Sequence, residues 1–272
     1  KDGSYNPETG EYDYQLLQTG DQFLSQSGIG RNSDQTFYFD ARLDWKRSFG
    51  DHNLTAMAMY MMREYRSDVL PNRNQGYSGR VTYDYASKYL VEFNFGYNGS
   101  ERLAAGHRFE FFPAVSAGWV ASSEKFWEPI SKYINHFKIR GSYGLVGSDA
   151  FASGAPHFLY QNNIGIGSAH NFWTGLPTSE ISKKGPGFYV LAVQDAGWEH
   201  VKKFDIGFDM MLFNQLNITF DYFHDKRERI LMSRASWPSM LGYWGSKPWS
   251  NIGEVENQGF ELSLNWTKQF GK

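Results

Sequence analysis

The acidic residues Asp40, Asp44, Asp84, Glu92, Asp205, Asp209 and Glu261 set the first question. Two carboxylates held close together, one protonated and one ionised, could run general acid–base hydrolysis. These acids are spread over well-separated stretches, so a hydrated wall carrying charge is the simpler reading. The seven histidines (His52, His107, His136, His157, His170, His200 and His224) contain no HExxH and no paired spacing that would hold a metal. They read as loop and rim residues. Cysteine is absent, which removes thiolate catalysis, Cys-based zinc sites and a disulfide framework. "GIGSAH" (165–170) and "GIG" (28–30) lack the spacing and the strand–helix context of a phosphate cradle. "SDAFASG" (148–154) lacks the spaced acidic ligands of a calcium loop. "NLT", "NGS", "NIT" and "NWT" match a glycosylation pattern but fall mostly in predicted strands and are discounted. Neither catalytic residue, metal nor cofactor is expected.

Aromatic residues between the patterned stretches offer a different chemistry. "SWPSMLGYWGSKPWSN" (236–251) carries Trp237, Tyr243, Trp244 and Trp249, and an earlier loop carries Phe172 and Trp173. Flat rings stack on sugar faces and on peptide side chains, and they anchor protein interfaces. Trp173, Trp237, Tyr243, Trp244 and Trp249 are therefore the candidate substrate or partner contacts. Packing of the loops on themselves is the competing reading.

The elements that would hold these residues are strands. Phe37, Phe39, Ala41, Leu43 and Trp45 alternate with Tyr38, Asp40, Arg42 and Asp44. The same period of two returns over Val81–Tyr85, Tyr89–Tyr97, Phe137–Leu145, Phe204–Leu212, Leu216–Tyr222 and Phe260–Trp266. Leu54–Met62 is apolar on both faces, yet the turn sequence "FGDHN" before it supports a strand. Glu11–Ser25 is a weakly patterned early strand. Connections alternate between short (49–53, 86–88, 213–216) and long (67–77, 100–108, 148–197, 233–253). "SSEKFWEPISKYIN" (122–135) breaks the short series and reads as one or two helical turns. Ser122 or Ser123 would cap them, Glu124 would sit in the first turn and Pro129 would limit their length.

Bulk properties narrow the class. The chain has 272 residues and a formal net charge of −2, so nothing recommends nucleic acid as a partner. Aromatics make up 18% of residues. No run of about 18 apolar residues exists, hence no transmembrane helix. Mean hydropathy is negative, which a barrel tolerates because its strands alternate apolar and polar residues. Lys1 opens the sequence and no signal peptide is visible, so a processed or excerpted chain is expected. No linker, charge block or low-complexity tract marks a domain boundary.

Does the apolar phase meet lipid or a protein core? Across the cleanest strands that phase holds no charge, whereas the other holds the acids named above and Arg42. Arg or Lys on a lipid-facing position near mid-bilayer would cost about 2–4 kcal/mol. The strands run about nine to fourteen residues, near the nine to eleven needed to cross a bilayer at a tilt and longer than usual for a soluble sandwich. Aromatics such as Trp45, Tyr83, Tyr97, Phe204 and Trp266 mark strand ends as interfacial girdles do. The pattern favours a transmembrane antiparallel up-and-down β-barrel over a sandwich.

"GYSGRVTYDYASKYLVEFNFGYNGSERLAAGHRFEFFPAVSAGWVASSEKFW" (76–127) and "INHFKIRGSYGLVGSD" (134–149) together resemble the SusC/RagA family of TonB-dependent outer-membrane transporters. "RSFGDHNLTAMAMY" (47–60) and "IGEVENQGFELSLNW" (252–266) resemble a preceding hairpin and a later strand of that family. The resemblance implies a plugged barrel of about 22 strands, of which 1–272 would be an internal part of roughly ten strands, without the plug domain. It further implies import of a bulky oligosaccharide or peptide across the outer membrane. A SusD-like surface lipoprotein would capture substrate, and TonB would supply energy through the N-terminal plug region. The alternatives are a siderophore or vitamin receptor without a lipoprotein lid, a soluble carbohydrate-binding β protein, and a surface hydrolase.

Overall fold

The computed structural model describes residues 3–14, 20, 33–67, 71–151, 155–167, 171–174, 181–234, 236, 238, 240 and 247–268. The chain divides into two units, 1–34 and 35–272. In the first, β1 (Gly3–Asn6) and β2 (Glu11–Tyr14) pair as a hairpin. Residues 15–25, the remainder of the weakly patterned early strand, lie outside the described residues apart from Gly20.

The second unit is built on β3 (Gln35–Phe49), β4 (His52–Arg66), β5 (Asn72–Tyr85), β6 (Tyr89–Ser100), β7 (Phe109–Val120) and β8 (Ile134–Ser148). Four short strands follow: β9 (Asn163–Gly165), β10 (Asn171–Thr174), β11 (Ile181–Lys184) and β12 (Gly187–Val190), pairing β9 with β12 and β10 with β11. Then come β13 (Glu199–Leu212), β14 (Leu216–Ser233) and β15 (Trp249–Trp266). The long strands form one 9-stranded antiparallel sheet in the order β15-β14-β13-β8-β7-β6-β5-β4-β3. Neighbours in sequence are neighbours in space, as an up-and-down meander requires. Roughly ten strands are expected from the pattern; the sheet has 9.

Short turns build one end. Gly50 adopts φ +60 between β3 and β4. Ala86 and Ser87 (φ 52 and 57), and Phe213 and Asn214 (φ 53 and 53), are the left-handed central residues of tight turns closed by Lys88 N–H to the Tyr85 carbonyl and Gln215 N–H to the Leu212 carbonyl. That backbone matches the twist of the flanking strands. Helical turns do occupy 121–130, but they are 3-10 turns, Ala121–Ser123 and Lys125–Ile130, and no side chain caps either. The backbone N-caps are Val120 and Glu124, so Ser122 and Ser123 lie inside the first turn. Pro129 lies inside the second turn, which ends one residue later.

Register keeps the two phases apart across the sheet. One row runs Trp45, Ala56, Val81, Phe93, Val115, Tyr143 and Phe204. A row on the other face runs Lys46, Thr55, Thr82, Glu92, Ser116, Ser142 and Asp205. No second layer covers the apolar face among the described residues. Val91 (46% exposed), Val115 (48%) and Ile206 (46%) sit on interior strands, where a sandwich would bury them. Among the described residues the 3-10 segment meets this face at its short-turn end, where Trp127 stacks on Phe137 and Phe126 nears Trp119.

The apolar band has a sharp upper limit. On β13 it runs Leu212, Met210, Phe208, Ile206 and Phe204, and the next residue of that phase is Lys202. Lys202 pairs in register with Lys226, and Lys226 with Glu256. The band from 204 to 212 matches the hydrocarbon thickness a tilted strand crosses. The strands measure 12 to 18 residues, longer than the pattern predicts, because they continue past this band into charged sequence.

Candidate functional site

The polar face is where the acids go, and Arg140 organises them. Gly207 lies opposite both Arg140 on β8 and Asp221 on β14. The Arg140 guanidinium donates through Nη2 to Asp221 Oδ2 (2.7 Å) and through Nε to Asp209 Oδ2 (3.3 Å). Its Nη1 lies 3.5 Å from Asp205 Oδ1. Thr219 Oγ1 donates to Asp209 Oδ1 at 3.2 Å. The planar fork of five donors lets one cation serve acids on two strands. A Cβ on residue 207 would overlap Asp221 Oδ1 and come within 2.5 Å of the Phe220 carbonyl oxygen, so only glycine fits between them.

Further along, Arg80 Nε donates to Asn94 Oδ1 (2.8 Å) and Asn94 Nδ2 donates to Glu92 Oε1 (2.6 Å). Asn53 Nδ2 donates to Asp84 Oδ2 at 3.1 Å. Between these groups the small residues Ser116, Gly118 and Ser142 floor a shallow depression of about 380 Å³, edged by Glu92, Arg140 and Asp205. Glu92, Asp84, Asp205 and Asp209 thus each face a cation or an amide, an arrangement suited to a hydrated wall. Among the described residues no group of three His, Asp or Glu is placed to hold a metal.

At the long-loop end a small apolar core closes the sheet. Leu103, Phe112, Leu159, Ala196, Trp198 and Leu231 are buried together. Trp198 donates its indole Nε1 to the Arg108 carbonyl (2.9 Å), which satisfies its one polar group. Glu199, 2% exposed, accepts from Arg227 Nη2 (2.7 Å) and from the Leu231 backbone N–H (3.2 Å). Asp149 and Phe151 open the long loop: Arg102 donates to the Asp149 carbonyl (2.8 Å) and lies 4.6 Å from the Phe151 ring centroid. Burial, with the Arg102 charge beside it, holds the His157 imidazole below its ordinary pKa. At the opposite end Tyr89 and Lys88 hydrogen-bond Glu124 (2.9 and 3.2 Å) and hold its carboxyl below the usual range.

The aromatic candidates are placed unevenly. Trp249 begins β15, half-buried against the apolar core. Trp173 stands in β10, its backbone paired with Ser182. Trp237, Tyr243 and Trp244 lie outside the described residues. Sequence reasoning missed Arg140 and Asp221. Asp221 was readable, since it precedes Tyr222 in the alternation, but its meeting with Arg140 depends on strand offset.

The family model described as "TonB dependent receptor-like, beta-barrel" matches residues 1–271. The chain belongs to the TonB-dependent receptor β-barrel family. It is 32% identical over 281 residues to TonB-dependent receptor P3 of Formosa agariphila, covering 89% of this chain and 26% of that protein. It is 24% identical over 216 residues to TonB-dependent receptor SusC of Bacteroides thetaiotaomicron, covering 75% and 19%. Among solved structures, the RagAB peptide importer in its closed-closed state superposes with a TM-score of 0.70 at 19% identity, over 88% of this chain and 28% of that one. The chain thus spans about a quarter of these relatives' length. TonB-dependent receptors are outer-membrane transporters, not enzymes. Membership in a family of outer-membrane barrels accords with a two-faced sheet, uncharged on one side and charged on the side that carries Arg140.

Proposed function

We propose that this chain forms part of the barrel wall of an importer that carries a bulky nutrient, an oligosaccharide or a peptide, across the outer membrane. A SusD-like surface lipoprotein captures the cargo over the long-loop rim, and TonB supplies the energy through a plug at the N-terminal side of the full protein. The wall itself does no covalent chemistry and needs no cofactor. The observation that carries this reading is the contrast between the two faces of one sheet. One is apolar and uncovered; the other is lined with compensated charge that a hydrated cargo can slide past without meeting a trap. The likeness to SusC, and in fold to a peptide importer, supports the same assignment.

Selectivity falls to the rim. Trp173, Trp237, Tyr243, Trp244 and Trp249 are the proposed contacts for cargo or lid, with Trp249 also wedging the rim core. Purification of the full-length transporter from detergent-solubilised outer membranes, with mass spectrometry of what accompanies it, tests the assembly. A lipoprotein partner is expected. Its absence, with growth rescued by iron chelates, would assign the protein to siderophore uptake instead. Replacing Trp244 and Trp249 by Ala should lower uptake or partner binding; no change in either would dismiss the rim aromatics as contacts.

A further inference from the structure

The short-turn end carries rings that the barrel wall does not need. After β7 the 3-10 segment folds onto the apolar side of the sheet. Trp127 stacks on Phe137 with ring centroids 5.2 Å apart and planes 8° from parallel. Phe137 continues to Phe208 (5.9 Å) and Phe208 to Phe220 (5.6 Å), so the segment joins a ladder of lipid-facing rings. Trp127 Nε1 donates to the Ile134 carbonyl, which leaves its ring free of any need for water. Phe126 lies 6.3 Å from Trp119, another residue of the apolar phase.

Beyond these contacts the segment shows bare apolar surface. Phe126 is 62% exposed, Ile130 41% and Tyr133 56%. Phe213, on the neighbouring turn, meets Tyr133 edge-on and is 60% exposed. Its φ of 53 is one that a bulky side chain rarely adopts and that Gly or Asn fills without strain. Backbone hydrogen bonds hold the turn, from Phe213 N–H to the Tyr133 carbonyl (3.0 Å) and from Asn214 N–H to Asn135 Oδ1 (2.6 Å), yet they leave the ring mostly uncovered. Lys125 and Lys132 are exposed on the same segment.

We infer that residues 125–133 together with Phe213 form an interfacial shelf that seats the barrel in the phospholipid leaflet on the short-turn side. Phe126, Ile130 and Phe213 enter the acyl-chain boundary, Tyr133 sits at the level of the headgroups, and the two lysines reach lipid phosphates. The shelf is continuous with the lipid-facing ladder, which is why its occupant is lipid and not a protein partner. It rests on the outer-membrane reading in two respects: the apolar face meets lipid, and the short turns lie at the inner leaflet.

Power-saturation spin labelling of the full-length transporter tests this, in nanodiscs of phosphatidylethanolamine and phosphatidylglycerol. Labels go singly at 126, 130 and 213, with 208 as a lipid-facing control and 116 as a lumen control. The oxygen-to-nickel-chelate accessibility ratio at 126, 130 and 213 should stand several-fold above that at 116 and approach that at 208. Lumen-like ratios at the three shelf positions beside a lipid-like ratio at 208 overturn the shelf and leave the importer reading intact. A lumen-like ratio at 208 brings down both. Hydroxyl-radical footprinting of the unsubstituted protein gives a second reading: Phe126 and Tyr133 should be protected in nanodiscs, and open labelling there counts against the shelf.

Discussion

Arg140 faces three carboxylates across two neighbouring strands. Replacing it by Met leaves Asp205, Asp209 and Asp221 without the cation they share, with Lys138 opposite Asp209 the nearest in register. Because the guanidinium is partly solvated, the loss should be moderate, about 1–3 kcal/mol. Denaturant unfolding of the full-length transporter in detergent measures it, and adding Asp221→Asn should recover part of the loss. His157 makes a pH prediction. Its folded-state pKa is depressed by burial and by Arg102, so as pH falls below about 6.5 the unfolded loop takes up a proton first. The packing of 155–160 is therefore tightest above that pH and weakens as pH drops toward the lowered folded pKa. Amide protection factors over this segment, corrected for the intrinsic pH dependence of exchange, should fall from pH 7.5 to 5.5 and lose that fall in His157→Gln; equal protection at both pH values in the unsubstituted protein would refute the assignment. The alternation revealed which acids share a face. It could not reveal which of them meet Arg140, because that is decided by how far β8 slides along β13.

β13 shows how much of the architecture was legible and where legibility stopped. Its phase, its apolar run from Phe204 to Leu212 and its short turn into β14 follow directly from period-two patterning. Its upper end has no apolar alternation: the apolar phase stops at Phe204, yet Glu199 to Lys203 continues the ladder through His200 and Val201. Backbone pairing outlasts the hydrophobic pattern because hydrogen bonds need no apolar face. The 3-10 turns at 121–130 were legible as a helical interruption, whereas their uncapped form and their folding back onto the lipid side were not. Phe208→Arg puts a charge into the ring ladder at mid-band and should cost about 2–4 kcal/mol, enough to block assembly. Asp209→Asn beside it keeps an acceptor for Arg140 and should assemble normally. Heat-modifiable mobility of the two variants on gels tells them apart, and equal behaviour would mean the faces are reversed.

Taken alone, the sheet has two raw edges, β3 and β15, each paired on one side only. Every residue of β3 is exposed. Such edges recruit other chains, so the 272 residues expressed without the rest of the protein should aggregate or stay unfolded in detergent. Size exclusion and circular dichroism check this, and reversible two-state unfolding of the monomer would contradict it. Family resemblance made the barrel readable from motifs such as "FFPAVSAGW", while the loops, which follow no periodicity, stayed illegible. Strand length adds something about the mouth of the barrel. Past the register row that holds Ala56, Phe93, Tyr143, Phe204 and His224, β8 and β13 stop at Ser148 and Glu199, whereas β4 runs on to Arg66 and β14 to Ser233. At about 3.3 Å per residue the difference, four to five residues, is roughly 15 Å along the strands. The long-loop edge of the sheet is therefore notched rather than level, low at β8 and β13 and high on both flanks, and the notch is the place from which the chain 149–198 leaves the sheet.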